Sequence, residues 1–431
     1  SWVPVAMAAT PLTAALGALL LYVPAALRPQ VARSCVLSAG AFVATRSAIP
    51  VIAAKIPLQK RGCDLLKRPR REPIAEKDKT VPESLGIVSG VAFVVTLVLT
   101  QAFTKANAQF ALEYASAMLC VVFAVLLGFV DDFLELEWKY KYALPPLMSL
   151  PLLSAYDGGT RIVPPRFCRA SLLSDDDDDA FSRLGAALHT VLEQLFGGSV
   201  DAASGAVDLG LAYRVYMVAL GVFCTNAINI YAGVNGLEAG QIYVIACAIL
   251  AMSAVELGRQ SSDAATKNHL FSVTVMLPFA ATTLALLRSN WFPARVFVGD
   301  TFTNYAGMTL AVVAILGHFP IMLMLLMLPQ LANFLVSVPQ LFGLRPCPRH
   351  RLPTFDEVTG KVRASRVNDR RDTVPAANGG GSQVNLTLIN LTLLLFGPLT
   401  EPLLATLLVV LQCLCCAGGL ALRFALEGRV Y

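Results

Sequence analysis

Charged residues are scarce in this chain. Only 15% of its 431 residues are Asp, Glu, Lys or Arg, whereas soluble domains carry about 25%. Hydrophobic residues make up 56% of the chain, and the mean hydropathy is +0.62. This composition excludes an ordinary soluble protein and indicates an integral membrane protein. The net charge of +5 is modest, and no nucleic-acid partner is predicted from it.

The ten cysteines lack the paired spacing of a metal site or a disulfide framework. Six of them lie in apolar runs: Cys120, Cys224, Cys247, Cys413, Cys415 and Cys416. Buried thiols are the favoured interpretation, and a metal site or disulfides are the alternative.

Apolar segments recur at the length of membrane-spanning helices. Ten spans are predicted, at about 35–54, 86–103, 111–130, 142–156, 212–230, 241–257, 270–288, 302–319, 321–342 and 400–422. Residues 3–27 are a further span or the remnant of a targeting segment. Because helices satisfy their own backbone groups in lipid, the fold class predicted is all-α, a polytopic membrane helical bundle. Residues 1–34 would then be an extra hydrophobic segment, and 35–431 one transmembrane domain.

Two basic stretches set the orientation. Residues 55–83 hold nine Lys or Arg and residues 343–384 hold eight, so both are predicted to be cytoplasmic. Alternating sides from there places five loops on the cytoplasmic face: 55–83, 131–141, 231–240, 289–301 and 343–384. The acidic loop 157–211 falls on the other face.

Two local patterns are set aside. The run Asp175–Asp179 is interpreted as part of a solvated insertion, with a metal site as the alternative. The NLT triplets at Asn385 and Asn390 match the glycosylation pattern, but the predicted orientation puts them at a cytoplasmic or interfacial position. They are therefore taken as chance matches.

The most polar stretch inside an apolar context is FCTNAINIYAGVNGLEAGQ, residues 223–241. Asn226 and Asn229 are three residues apart and would point the same way from a helix. Amides at a membrane helix end are unfavourable unless they bind something. We expect the glycines that follow to let backbone N–H groups approach a ligand. The stretch predicts an anion or metal–anion site at the membrane surface.

Other polar groups fall on the same predicted face: Asp131, Asp132, Lys141, Asp300, Arg349, His350 and Arg351. Taken singly, each has a plain interpretation. Asp131 and Asp132 would be solvated surface charge, Lys141 would reach the lipid headgroups, and Asp300 would be a structural residue of a turn. The arginines and the histidine would contact lipid headgroups. Taken together, they provide oxygen ligands suited to magnesium and cationic donors suited to phosphate.

Four stretches carry a resemblance to a known family: LLGFVDDFLELEWKYK, FCTNAINIYAGVNGLEAGQ, RVFVGDTF and PCPRHR. They resemble the signature stretches of the polyprenyl-phosphate N-acetylhexosamine-1-phosphate transferase superfamily. The likeness runs in order from about residue 35 to the C-terminus, and GCDLLKR with VPESLGIVSG fits it too. The CPRHR loop is similar to that of the eukaryotic branch, whereas bacterial relatives carry a more histidine-rich loop.

The resemblance implies a reaction and a place. The expected reaction joins UDP-GlcNAc and dolichyl phosphate into GlcNAc-diphosphodolichol and UMP, with Mg²⁺ as cofactor. The expected location is the endoplasmic reticulum membrane, with the active site facing the cytosol, and a homodimer is compatible with the family.

The resemblance also implies roles, residue by residue. The expected magnesium ligands are Asn229 and Asp300, and the catalytic candidates are Asp131, Asp132 and Lys141. The lipid phosphate is assigned to Lys141, Thr225, Asn226 and Asn229. The nucleotide is assigned to Asp64, Leu65, Glu83, Gly233, Asn235 and Phe297, and the sugar with its phosphate to Arg349, His350 and Arg351.

Four features depart from the family pattern. Glu135 replaces an asparagine common in the family, and the loop between Asp64 and Glu83 is longer than expected. The insertion at 166–206 and the segment at 3–27 have no recognised counterpart. None of these removes a residue of the motifs.

The implied chemistry needs no strong base. A phosphate monoester has a second pKa of about 6 and is largely dianionic at pH 7, so it can attack unaided. The main obstacle is bringing two anions together, which cations relieve. We therefore favour a role for Asp131 and Asp132 in orienting Lys141 or tuning the metal site, with base catalysis by Asp131 as the alternative.

Two other functions were weighed. One is a related transferase with another acceptor or sugar, which only the closeness of the motifs disfavours. The other is a nucleotide-sugar transporter, whose site would lie near the bilayer centre between repeated halves. The polar groups here cluster at span ends, and no internal repeat is recognisable, so the transferase is preferred.

Overall fold

The computed structural model describes residues 3–63, 80–103, 108–134, 136, 143–156, 159–162, 190, 194, 197–201, 206–347, 351–356, 358–367 and 383–430. Thirteen α-helices lie in these residues: α1 (Val3–Tyr22), α2 (Arg28–Lys55), α3 (Gly86–Ala102), α4 (Ala108–Leu134), α5 (Leu144–Ala155), α6 (Leu211–Ile230), α7 (Leu237–Arg259), α8 (Asp263–Asn290), α9 (Gly299–Leu316), α10 (Pro320–Leu326), α11 (Leu328–Leu341), α12 (Leu388–Phe396) and α13 (Glu401–Val430).

Short strands form three small antiparallel sheets in the polar connections. They are β1 (Arg61–Cys63) with β2 (Thr80–Pro82), β3 (Arg161–Ile162) and β4 (Ser199–Asp201) on either side of β5 (Ala206–Asp208), and β6 (Thr354–Asp356) with β7 (Lys361–Arg363). The all-α prediction omitted them because strands of two or three residues leave no periodic signal in a sequence. The fold is still mainly helical.

Each of the ten predicted apolar segments coincides with a helix or a helix pair, and residues 3–22 form α1. In the described part of the chain, six helices are long and apolar enough to cross a membrane: α2, α4, α6, α7, α8 and α13. The bent pair α10 and α11 makes seven if it is one span. The chain is therefore a helical membrane protein. Ten spans stay a prediction, because three of the predicted spans are not among these helices: α3 and α5 have only 17 and 12 residues, and α9 has 18 residues with polar groups in its first turns.

Helices α7, α8 and α9 form the centre of the bundle and are buried along most of their length. Aromatic rings from three helices pack together there. The ring centroids of Phe93 (α3) and Phe279 (α8) are 5.3 Å apart, and those of Phe279 and Tyr305 (α9) are 6.2 Å apart. The Tyr305 hydroxyl shares a hydrogen bond of 2.7 Å with Ser89. The ring cluster thus holds α3 and α8 against α9.

Eight cysteines are free thiols: Cys35, Cys120, Cys224, Cys247, Cys347, Cys413, Cys415 and Cys416. No group of three potential metal-binding His, Cys, Asp or Glu side chains occurs among the described residues. Cys120, Cys224, Cys247 and Cys416 are buried, which confirms the prediction for them. Cys413 and Cys415 are half-buried on α13.

The segment predicted as one span at 321–342 is bent by 75° where α10 meets α11. Three glutamines, all fully buried, meet at this bend. Gln330 of α11 donates to Gln241 of α7 (2.5 Å) and to Gln412 of α13 (2.7 Å). Gln412 in turn donates to the carbonyl of Leu326 at the end of α10 (2.7 Å). The bend is therefore stabilised by side chains from two other helices.

The bundle has two different ends. At the end that we call the polar end, α4, α6 and α8 finish and α7, α9 and α13 begin. The described parts of the five loops predicted to share one face meet there. At the opposite end, Glu256 near the end of α7 forms an ion pair with Arg423 of α13 at 2.7 Å.

Candidate active site

The polar end is organised around the start of α9. Asp132, in the last turn of α4, accepts hydrogen bonds from Asp300 N (2.7 Å), Thr301 N (2.9 Å) and Thr301 Oγ1 (2.5 Å). The first N–H groups of a helix have no partner in their own helix and carry partial positive charge. Asp132 therefore caps α9 from a different helix, and it fixes the backbone of Asp300.

Glycines allow this close approach. A Cβ on Gly128 of α4 would lie 2.7 Å from Thr301 Cα, so a larger residue would push the two helices apart. Gly299 has φ +74°, and a Cβ at this position would lie 2.5 Å from Asp132 Oδ2.

Asp131, the neighbour of Asp132, is only 4% exposed. The two adjacent carboxylates thus lie in different environments.

The end of α6 lies beside Asp300. Asn229 Nδ2 donates to Asp300 Oδ1 at 2.7 Å and to Thr303 Oγ1 at 3.4 Å. The predicted pair of Asn229 and Asp300 is therefore in direct contact. Asn226, one turn earlier, donates to the carbonyl of Val222 in its own helix at 2.9 Å.

Thr225 is buried at the contact of α6 with α9. Its hydroxyl donates to the carbonyls of Gly221 (3.0 Å) and Val222 (3.1 Å), inside its own helix. A Cβ on Gly307 of α9 would lie 2.5 Å from Thr225 Cα. This geometry gives Thr225 a packing role, and its assignment to the lipid phosphate stays a prediction.

The loop between α6 and α7 turns its N–H groups into the protein. Gly233 N donates to Glu238 Oε1 (2.9 Å), Asn235 N to Glu401 Oε1 (2.8 Å) and Gly236 N to Asn290 Oδ1 (3.1 Å). The expectation that the glycines free backbone N–H groups for a ligand is wrong at these positions, because side-chain oxygens of α7, α8 and α13 already accept them.

The glycines of this loop have another role. Gly233 and Gly236 have φ of +106° and +84°, which residues with a Cβ rarely adopt. A Cβ on Gly233 would overlap the Leu352 side chain, and a Cβ on Gly236 would lie 2.5 Å from the Trp291 ring. The glycines therefore make room for neighbouring side chains.

Glu83 and Phe297 come together through backbone pairing. Phe297 N donates to Pro82 O (2.8 Å), and Leu85 N donates to Phe297 O (3.1 Å). A Cβ on Gly62 would overlap the Glu83 carboxylate and lie 2.9 Å from the Phe297 ring. The two predicted nucleotide contacts thus share one small patch beside the start of α9.

Arg351 is held by the chain around residue 386. Its Nη1 donates to Leu386 O (3.2 Å), and its carbonyl accepts from Asn390 Nδ2 (3.0 Å). Burial lowers the pKa of the Arg351 guanidinium. No carboxylate lies within ion-pairing distance of it in the part of the chain that the structure describes. A half-buried cation without an acidic partner is suited to an anionic ligand.

The NLT triplets are structural. Asn385 and Asn390 are buried, and both amides bond to Ser365: Asn385 Nδ2 donates to Ser365 Oγ (2.9 Å), and Asn390 Oδ1 accepts from Ser365 N (3.0 Å). Side chains with such contacts are not available to a modifying enzyme. This agrees with treating the triplets as chance matches.

Five predicted site residues lie outside the described residues: Asp64, Leu65, Lys141, Arg349 and His350. Glu135 and the acidic run 175–179 lie outside them as well. Three polar residues accept N–H groups of the loop between α6 and α7, which we call the site loop, namely Glu238, Asn290 and Glu401. The sequence alone assigned no role to them. Each is a lone acid or amide beside an apolar span, which was the signal that could have drawn attention to them.

Residues 114–318 match glycosyl transferase family 4. The chain is 40% identical to the UDP-N-acetylglucosamine–dolichyl-phosphate N-acetylglucosaminephosphotransferase of Dictyostelium discoideum, over 94% of this chain and 92% of that protein. It belongs to glycosyl transferase family 4. Proteins of the same name from Saccharomyces cerevisiae and Schizosaccharomyces pombe are 40% and 35% identical, over 72% and 74% of this chain and 67% and 71% of their own lengths.

The part that matches glycosyl transferase family 4 contains Asp132, Asn229 and Asp300, which meet at the start of α9. Arg351 and Glu401 lie beyond its end at residue 318. The contacts of Leu352 with Gly233 and of Glu401 with Asn235 nevertheless attach this C-terminal part to the same site. The site is therefore built from both parts of the chain.

Proposed function

We propose that this chain transfers GlcNAc-1-phosphate from UDP-GlcNAc to dolichyl phosphate, giving GlcNAc-diphosphodolichol and UMP. The observation that carries the proposal is the similarity to the Dictyostelium transferase over 94% of this chain. The cluster of Asp132, Asn229 and Asp300 at the polar end supports it with groups suited to a metal-bound pyrophosphate.

In the proposed reaction, a phosphate oxygen of dolichyl phosphate attacks the phosphorus that carries the sugar. The bond from that phosphorus to the bridging oxygen breaks, and the electron pair leaves with UMP. The dianionic acceptor needs no base. We assign the alignment of the two anions to Lys141 for the lipid phosphate and to Arg349, His350 and Arg351 for the sugar and its phosphate.

The residues at the start of α9 fit Mg²⁺, which we propose as the cofactor. Mg²⁺ is usually held by one or two carboxylates, with waters and substrate phosphates completing its shell. Asp300 and Asn229, whose Oδ1 and Nδ2 are 2.7 Å apart, offer one carboxylate and one amide. When bound, the ion would neutralise charge on the pyrophosphate. Asp132 accepts the backbone N–H of Asp300, and this supports a role for Asp132 in tuning the metal site.

We place the polar end on the cytosolic face of the endoplasmic reticulum membrane. The reason is the positive-inside rule, because the basic stretches 55–83 and 343–384 both connect at this end. UDP-GlcNAc would then reach Glu83, Asn235 and Phe297 from the cytosol.

The test is turnover of radiolabelled UDP-GlcNAc by the purified protein with dolichyl phosphate, with and without Mg²⁺. We expect Mg²⁺-dependent formation of lipid-linked GlcNAc phosphate together with UMP. UDP-GlcNAc that stays intact would contradict the donor and acceptor assignment. Transfer from another sugar nucleotide or to another polyprenyl phosphate would identify a related transferase. Uptake into vesicles without transfer would instead identify a transporter.

A further inference from the structure

Glu401 is a buried carboxylate at the start of a membrane helix. It is 4% exposed, and it lies in the first turn of α13, where the helix dipole favours negative charge. Burying a carboxylate is unfavourable unless it is hydrogen-bonded. Its Oε1 accepts the N–H of Asn235 at 2.8 Å, across 166 residues of sequence. The contact joins the last long helix to the predicted nucleotide site.

Asn235 lies between two residues with unusual backbone freedom. Gly233 and Gly236 both have positive φ, so the peptide groups around Asn235 are not fixed by local preference. Contacts from outside the loop must fix them. Glu238 and Asn290 hold the flanking N–H groups of Gly233 and Gly236, and Glu401 holds that of Asn235 itself.

The chemical type of the group that accepts the Asn235 N–H can be compared with that of its neighbour. Asn290 holds the neighbouring N–H of Gly236 with a neutral amide oxygen at 3.1 Å. Glu401 uses a carboxyl oxygen at the shorter distance of 2.8 Å. Hydrogen bonds to an ionised acceptor are roughly twice as strong as neutral ones. An ionised Glu401 would therefore hold the Asn235 N–H more firmly than a neutral amide would.

We propose that Glu401 is a positioning residue for the nucleoside part of the donor. By holding the Asn235 N–H inward, it sets the direction in which the Asn235 side chain is presented to the base. This inference rests on the proposed function, because it takes UDP-GlcNAc as the donor. It adds to the site a residue outside the part that matches the family, 114–318.

The experiment compares Glu401→Leu, Glu401→Gln and the control Thr406→Val. Thr406 lies one turn further along α13, and its hydroxyl donates only to Pro402 O of the same helix (2.7 Å). KM for UDP-GlcNAc and for dolichyl phosphate are measured separately, and Kd for UMP is measured by calorimetry. Tm is recorded for each variant.

We expect Glu401→Leu to raise both KM for UDP-GlcNAc and Kd for UMP by about tenfold, the loss of one charge-assisted hydrogen bond. KM for dolichyl phosphate should change less than about twofold, because Glu401 bonds to Asn235, which is assigned to the nucleotide and not to the lipid phosphate. Glu401→Gln keeps a neutral acceptor, so its nucleotide affinity should lie between those of the wild type and Glu401→Leu. If Glu401→Leu does not fold, Glu401→Asp withdraws the carboxylate by one methylene and carries the same test.

A Glu401→Leu variant with a lower Tm and equal changes in both KM values would overturn the positioning role, as would unchanged nucleotide affinity. The UMP measurement separates this inference from the proposed function. If the wild type transfers no GlcNAc phosphate but binds UMP in a manner that depends on Glu401, then the proposed reaction fails and the positioning role stands.

Discussion

Helix α7 carries a carboxylate near each of its ends, and the two are held differently. At the polar end, Glu238 accepts the backbone N–H of Gly233 at 2.9 Å. At the opposite end, Glu256 accepts from Arg423 Nε and Nη2 at 3.0 and 2.7 Å. One helix therefore shows two ways of holding a carboxyl group inside a membrane bundle.

The same difference extends to the neighbouring helices. At the polar end, Asp132 and Glu401 also accept backbone N–H groups, from Asp300 and Asn235. Carboxylates satisfied in this way do not need an arginine or a lysine. At the opposite end, Glu256 and Arg423 instead pair with each other.

The largest effect is expected for Asp300→Ala at the polar end. It removes the carboxylate proposed to hold Mg²⁺, so kcat should fall by at least about 100-fold, as when one preorganised electrostatic group is lost. Initial rates at several Mg²⁺ concentrations measure this. Asp263→Ala, an exposed aspartate in the first turn of α8 at the opposite end, is the matched control. Wild-type-like turnover by Asp300→Ala would refute the metal assignment.

Arg423→Leu tests the other end. The variant leaves Glu256 buried without its cation, and the free energy of unfolding should fall by about 3 kcal/mol, near the lower limit for a broken buried pair because Arg423 is partly exposed. Thermal unfolding in detergent measures the loss. KM for UDP-GlcNAc should not change in the folded fraction. A double variant, Glu256→Leu with Arg423→Leu, should recover most of the stability, and failure to recover it would show that the charge pair is not the cause.

A smaller effect is expected for Arg351→Ala. Losing hydrogen bonds from a cation to an anionic substrate should raise KM for UDP-GlcNAc by about 10-fold to 100-fold. Arg351→Lys should not restore it, because lysine lacks the planar fork of donors. The exposed Arg345 provides the control Arg345→Ala in the same stretch. Equal effects of the two alanine variants would point to general charge attraction rather than to a specific role of Arg351.

The smallest effect concerns glycosylation. Asn390 is fully buried, and its amide nitrogen donates to Arg351 O, so the protein expressed in eukaryotic cells should carry no glycan there. Electrophoretic mobility before and after glycosidase treatment should be the same for the wild type and for Thr392→Val, which destroys the triplet. A glycosidase-sensitive shift that Thr392→Val abolishes would place the polar end on the lumenal side.

Hydropathy predicted the helices well, and alternation of sides correctly grouped residues far apart in sequence. Asn229 and Asp300 were expected on one face, and they are in contact. The grouping follows from a simple constraint, since each span must reverse the side of the chain.

Contacts that depend on the final packing could not be predicted. Glu401 bonds to a backbone 166 residues away, and nothing in FGPLTEP indicates that partner. The glycines of the loop between α6 and α7 were correctly noted, but the prediction that they free backbone N–H groups for a ligand was wrong, because Glu238 and Asn290 accept those of Gly233 and Gly236. The bend between α10 and α11 was also missed, although Pro329 and Gln330 interrupt the apolar run 321–342 close to it.

The bend has a consequence for how the protein is made. The carbonyl of Leu326 accepts a hydrogen bond from Gln412, which is synthesised 86 residues later. During synthesis, α10 and α11 are therefore complete before the side chain that completes the bend exists. A polar backbone group in lipid must find a temporary partner, such as water or the insertion machinery. Insertion of α13 is thus the step that closes this part of the bundle, and a ribosome stalled before residue 412 would leave it open.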